Sequence, residues 1–200
     1  MGTTAEKRGN GFTYRDYLTW PEDERWEIIG GDAYAMTPAP SIRHQAISLY
    51  LSTQFGNFFK GSGCKPFPAP TDVVFDAQNV VQPDLLVVCD KSKITENNIQ
   101  GAPDLIIEIL SPSTALKDKR EKKALYERFG VREYLIVYPA EELVGRFALS
   151  DGSYGTEEVF GWDEALPLAI FPDLRLNLWE VFDKQLPQRR DAPPGPLPSS

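Results

Sequence analysis

The sequence predicts an α/β domain, a mixed central sheet flanked by helices and preceded by an N-terminal helix and hairpin. Three observations carry that expectation. Two apolar runs, "DLIIEIL" and "EYLIVYP", flank a helix-forming stretch from about Thr114 to Phe129, and strand, helix, strand in that order implies a right-handed crossover and a mixed sheet. Ile47, Leu51, Phe55 and Phe58 or Phe59 recur at helical spacing, so a helix there needs a sheet to pack against. Gly30-Gly31-Asp32 is a local hairpin signal between two strand-forming runs.

In chain order, "FTYRDYLTW" reads as a short helix capped by Thr13, and "RWEIIGGDAYAM" as the hairpin. The long helix starts at about Ser41 and stops near Gly61–Gly63. Strands follow at "TDVVFD", "DLLVVCD" and "DLIIEIL", then the Thr114–Phe129 helix stopped by Gly130, then "EYLIVYP". "GRFAL" and "YGTEEVF" form an expected strand pair, and "LRLNLWEVF" closes the domain. Residues 1–11 are expected to be a flexible start, 12–183 a single domain, and 184–200 a proline-rich tail too poor in apolar residues to order itself.

Composition narrows the function classes. At 200 residues and 42% hydrophobic, the chain can bury a sizeable core, and no apolar run approaches the roughly 20 residues of a membrane helix. With no apolar core of a signal peptide at the start, the expectation is a cytoplasmic protein without membrane partners. Cys64 and Cys89 are too few for a disulfide scaffold or a cysteine zinc site and are expected as two reduced, unpaired thiols. A single histidine, His44, excludes a histidine-rich metal site, so any metal takes mainly oxygen ligands, which selects Mg²⁺, Mn²⁺ or Ca²⁺. The net charge of −8 counts against broad adhesion to nucleic acid but leaves room for a local site. The basic run "LKDKREKK", Leu116 to Lys123, reads most simply as a solvated helix face.

Against this background Glu108 stands out, because a carboxylate inside an apolar run is costly to desolvate unless a cation meets it. "QPDLLVVCD" and "APDLIIEIL" both open with Pro-Asp-Leu, and two neighbouring strands about 4.8 Å apart would bring Asp84, at the start of one, near Glu108, late in the other. Leu125 and Phe129 define the buried stripe of the following helix. Stepping back along it gives Lys122 and then Asp118, while Tyr126 offers a hydroxyl to the same surface. Duller roles stay open for each residue. Asp84 suits a turn, Glu108 a bare salt bridge to Lys122, Glu27 the solvent side of the hairpin, and Asp118 a first-turn acid complementing the helix dipole.

The series "ERWEIIGGDAYAMTPAPSIRHQAI", "VVQPDLLVV", "PDLIIEILSPST", "DKREKKALY" and "GVREYLIV" resembles the Uma-two family of restriction-endonuclease-like proteins, within the PD-(D/E)XK nuclease superfamily, from about Thr13 to Phe182. The resemblance implies a restriction-endonuclease-like fold, metal-binding carboxylates at Asp84 and Glu108, a further acid at Glu27, and a catalytic lysine at Lys122. The superfamily pattern sets its lysine two residues after the second acid. Leu110 stands there in this chain, as it would in a family that has moved the lysine to the next helix. His44 occupies a position similar to the family's own histidine and is expected to support the site. The activity implied is a Mg²⁺- or Mn²⁺-dependent endonuclease with Asp84, Glu108 and Lys122 acting together on phosphodiester bonds, DNA being the expected partner. Two alternatives stay open: a nuclease fold without turnover that serves as a binding module, and a metal-free hydrolase using two carboxylates. A homodimer is expected, because "GRFAL" reads as an exposed strand, the chain carries four tryptophans, and cutting both strands of a duplex takes two sites.

Overall fold

A computed structural model describes residues 7–21, 23–36, 40–111 and 118–186, with the backbone alone at 7, 8, 118 and 119. Thr13 and Asp16 form a reciprocal capping box that starts helix α1 (Tyr14–Tyr17). The Gly30-Gly31 loop, with φ of 60° and 81°, turns β2 (Trp26–Ile29) back into β3 (Asp32–Ala35), a backbone region that glycine enters without penalty. β1 (Lys7–Arg8) pairs with β3, so strand pairing reaches into the stretch expected to be flexible. With β5 (Val73–Asp76), β6 (Asn79–Val81) and β8 (Ile99–Gln100) these strands make a first sheet, ordered β1-β3-β2-β6-β5-β8.

The second sheet is the centre of the molecule. It contains β4 (Lys65–Pro68), β7 (Leu85–Val88), β9 (Leu105–Ile109), β10 (Glu133–Tyr138), β11 (Leu143–Ser150) and β12 (Ser153–Tyr154), in the order β12-β11-β10-β9-β7-β4, with β13 (Glu158–Gly161) also on β11. β10 runs parallel to β9, and β7 runs antiparallel on its other side. The mixed sheet expected from strand, helix, strand is therefore present.

Alternation along these strands sorts the core into two layers. Leu85, Val87, Leu105, Ile107, Ile109, Leu135 and Val137 pack with Ile47, Leu51, Phe55 and Phe59, on or just after helix α2 (Ile42–Phe58). Phe59 is the buried member of its pair and Phe58 is 39% exposed. The same layer takes in β14 (Ala165–Pro167), β15 (Arg175–Asn177) and helix α4 (Leu178–Val181), the last two formed from the closing segment. On the opposite face Leu86, Val88, Ile106, Tyr134 and Ile136 meet Leu125 and Tyr126 of helix α3 (Lys123–Phe129) and Val73, Phe75, Val81 and Ile99 of the first sheet. β9 is thus buried on both sides, which is why its sequence is continuously apolar around Glu108.

Two expectations change. The two cysteines are joined as a Cys64–Cys89 disulfide rather than left as free thiols. The antiparallel register that sets Lys65 opposite Val88 sets Cys64 opposite Cys89, and β4, with its two prolines, gives little sequence signal of that pairing. "GRFAL" is no exposed edge, because β11 is paired by β10 on one side and by β12 and β13 on the other. The start expected for the last central helix lies outside the described residues. Its described part is a π-helical turn, Asp118–Lys122, followed by α3, which ends at Gly130 with φ 79°. No helix among the described residues is long and apolar enough to cross a membrane. Of the expected tail, 187–200 also lie outside the described residues.

Candidate active site

The register of β7 on β9 pairs Leu85 with Ile107, and one position further on Asp84 stands across from Glu108, at the end of the sheet where β9 leaves it. Opposed residues in such a ladder have Cα atoms about 4.5–5.5 Å apart and side chains on the same face. That face receives α3 and the π-helical turn that leads into it, along which Lys122, Leu125 and Tyr126 are buried at helical spacing. Lys122 therefore projects inward, 3% exposed, although it stands in a basic run that otherwise suits a solvated surface.

Glu108 faces this lysine. Lys122 Nζ donates to Glu108 Oε1 at 2.8 Å and pairs with Glu27 Oε1 at 2.7 Å, so one ammonium bridges two buried carboxylates. The Tyr126 hydroxyl donates to the same Glu108 oxygen at 2.6 Å. Burial first, and then the charge of Glu108, holds the Tyr126 hydroxyl well above the usual tyrosine range, so it stays a donor. Glu27 is fully buried, on the inner face of its hairpin rather than on the solvent side. Its Oε1 also accepts from the backbone N–H of Gln82 at 3.1 Å.

Asp84 makes a separate but adjoining pair of contacts. Its Oδ2 accepts from the backbone N–H of Ile109 at 2.7 Å, tying it to the residue after Glu108, and its Oδ1 lies 3.3 Å from His44 Nε2. His44 comes from the first turn of α2, which Ser41 caps. The Asp84 and His44 side chains are 21% and 14% exposed, so this end of the cluster reaches solvent while the Glu27–Lys122–Glu108 end is closed. The side chain of Asp118 lies outside the described residues. Lys123, at the end of the same basic run, sits over the Phe147 ring at 4.5 Å.

Sequence reasoning missed Gln82. Its Oε1 accepts from Arg25 Nε (3.0 Å) and one terminal Arg25 nitrogen (2.6 Å), and its Nε2 donates to Asp72 Oδ1 (2.7 Å) and the Tyr17 hydroxyl (3.2 Å). Arg25 and Tyr17 stand 57 and 65 positions from Gln82, so no spacing rule could have assembled them.

As for a metal, no group of three or more His, Cys, Asp and Glu side chains capable of holding one is present among the described residues. The available donor set is the carboxylate pair Asp84 and Glu108. Two carboxylates with a solvent-facing side fit Mg²⁺, which keeps several waters and binds through one or two carboxylates and substrate phosphate. They do not suit zinc, which takes three or four protein ligands drawn mainly from Cys and His.

Comparison with known proteins gives three findings. A family described as "Uma2: Putative restriction endonuclease" matches residues 14–178. An uncharacterized protein of Synechocystis sp. is 34% identical over 126 residues, which are 61% of this chain and 66% of that protein, so the match spans about two thirds of the relative. The crystal structure of a "putative nuclease belonging to DUF820" from Anabaena variabilis superposes with a TM-score of 0.72 at 23% identity, over 86% of this chain and 98% of the other, a likeness of fold.

Proposed function

The chain belongs to the Uma2 family of restriction-endonuclease-like proteins, and from that premise we propose that it is a Mg²⁺- or Mn²⁺-dependent endonuclease that hydrolyses phosphodiester bonds of DNA. The observation that carries the reading is the convergence at one sheet end of Asp84, Glu108 and Lys122, with Lys122 held 2.8 Å from Glu108 inside an otherwise apolar layer. Asp84 and Glu108 would hold the metal, which when bound polarises the scissile phosphodiester and lowers the pKa of an attacking water. Lys122 supplies a compact positive charge beside that centre for the negative charge that grows on the phosphate. Glu27 fixes where this ammonium points, Tyr126 orients the Glu108 carboxylate, and His44 orients that of Asp84. The same reading takes the protein as a homodimer, since a duplex cut needs two sites. The outward side of α2 offers apolar surface for it in Ile42 and Leu49, 87% and 63% exposed.

One specific observation favours a second reading, a nuclease fold that binds without turnover: Glu108 Oε1 is already occupied by Lys122 and Tyr126. Incubation of supercoiled plasmid, single-stranded DNA and RNA with a series of Mg²⁺ and Mn²⁺ concentrations separates the two. Cleavage of DNA by the wild type, abolished in Glu108→Gln and Asp84→Asn, is expected. A wild type inert on every substrate would leave the binding module. Cleavage undiminished by a chelator would leave the metal-free hydrolase.

A further inference from the structure

Arg25 lies just before β2, and its carbonyl accepts from Met36 N–H at 2.8 Å, which extends the β2–β3 ladder by one residue. Alternation then sets its side chain on the same face as that of Glu27, two residues on. Unlike Glu27 it is exposed. Its guanidinium is anchored through Nε and one terminal nitrogen to a single oxygen, Gln82 Oε1, while the backbone N–H of the same Gln82 binds Glu27. A row Arg25, Gln82, Glu27, Lys122, Glu108 thus runs from solvent into the site.

What distinguishes Arg25 is the kind of group that holds it. Among the described residues, Arg43, Arg128, Arg132 and Arg146 meet the carboxylates of Glu142, Asp76, Asp104 and Glu158. Arg25 is held by a neutral amide, so its orientation is fixed without its charge being cancelled. In a chain of net charge −8, an arginine aimed in this way beside an acidic centre gives a polyanionic backbone a foothold that the carboxylate-paired arginines do not offer.

We infer that Arg25 anchors a phosphate of the substrate strand flanking the scissile bond, and that Gln82 is the positioning residue that aims it. The terminal guanidinium nitrogen that Gln82 does not engage supplies the donors for the phosphate oxygens, in the charge-assisted geometry that arginine forms with phosphate. This inference rests on the nuclease reading of the site and adds a substrate-binding residue to it.

The test is equilibrium binding of a fluorescently labelled 20-base-pair DNA duplex, with Ca²⁺ in place of Mg²⁺ to suppress cleavage, over a range of salt concentrations. Arg25→Gln, a change at an exposed position, should weaken binding about tenfold and reduce the slope of log K against log salt by about 0.9, the signature of one phosphate left without its cation. Arg25→Lys keeps the charge and should keep the slope while binding somewhat more weakly. Gln82→Leu should behave like Arg25→Lys, since it releases the aim and leaves the charge. Arg132→Gln, whose guanidinium is paired with Asp104, should match the wild type. In cleavage assays Arg25→Gln should raise KM and leave kcat nearly unchanged. A wild type that cleaves DNA, with an unchanged salt slope in Arg25→Gln, overturns this inference alone. A wild type that neither binds nor cleaves DNA overturns it together with the nuclease reading.

Discussion

Replacing Lys122 with methionine takes an ammonium away from two carboxylates that stand 2.7 and 2.8 Å from it and are almost wholly removed from water. By the helix stripe alone the change is mild, because methionine matches the lysine stem in volume and helix propensity. The ion pairs say otherwise. Removing one partner of a buried ion pair costs about 3–5 kcal/mol, since the charge left behind has neither solvent nor counter-ion. For a chain of this size each kcal/mol moves the melting temperature by about 2–4 °C, so Lys122→Met should melt roughly 6–20 °C below the wild type. Scanning calorimetry at neutral pH measures it. Adding Glu27→Gln and Glu108→Gln to the variant removes the orphaned charges and should recover most of the loss, although neither glutamine is ion-paired. Lys123→Met, which gives up only a cation–ring interaction, should fall by no more than about 1 kcal/mol. If Lys122→Met melts with the wild type, or the triple variant is no more stable than the single one, Lys122 does not bridge Glu27 and Glu108 and the site has been assembled wrongly.

Four further outcomes are expected. Glu108→Gln keeps an acceptor for Lys122 and Tyr126 and leaves Lys122 its partner Glu27, so it should lose at most about 1–2 kcal/mol while abolishing cleavage; calorimetry with Mn²⁺ at 100 times its dissociation constant should add about 2.7 kcal/mol to the wild type and almost nothing to the variant. Burial pushes the Glu133 carboxyl above 4.5 in spite of hydrogen bonds from the Ala169 and Ile170 N–H groups, so its contribution is fully present below pH 4.5 and lost as pH rises through the raised value; the stability gap between wild type and Glu133→Gln should narrow over that window, and parallel curves would refute the assignment. The Cys64–Cys89 bond closes a loop of sequence separation 25, so its reduction should cost about 3 kcal/mol; alkylation of both cysteines without prior reduction would show the bond absent. Light scattering at tens of micromolar protein should give a dimer mass, and a monomer mass would refute the homodimer.

Local chemistry in the sequence determined most of the elements. The Thr13–Asp16 box, the paired glycines of the hairpin, the Ile47–Leu51–Phe55 stripe and the apolar runs of β7, β9 and β10 each depend on neighbours within a few residues, and each is present. Short strands were harder to see. β4 carries two prolines, while β6 and β8 are three and two residues long, too brief to show a period, and all three depend on the strands that pair with them. The same division runs through the site. An embedded glutamate and a helix stripe sufficed to single out Glu108, Lys122 and Tyr126, because burying a charge forces a partner and helical spacing says where that partner stands. Which face of the hairpin carries Glu27 is a choice between two equivalent alternations, and only the packing of the first sheet on α3 decides it. The pairing of Asp84 with His44, the Cys64–Cys89 bond and the Arg25–Gln82 anchor join residues 25 or more positions apart, and they depend on register and sheet stacking, which no local pattern encodes.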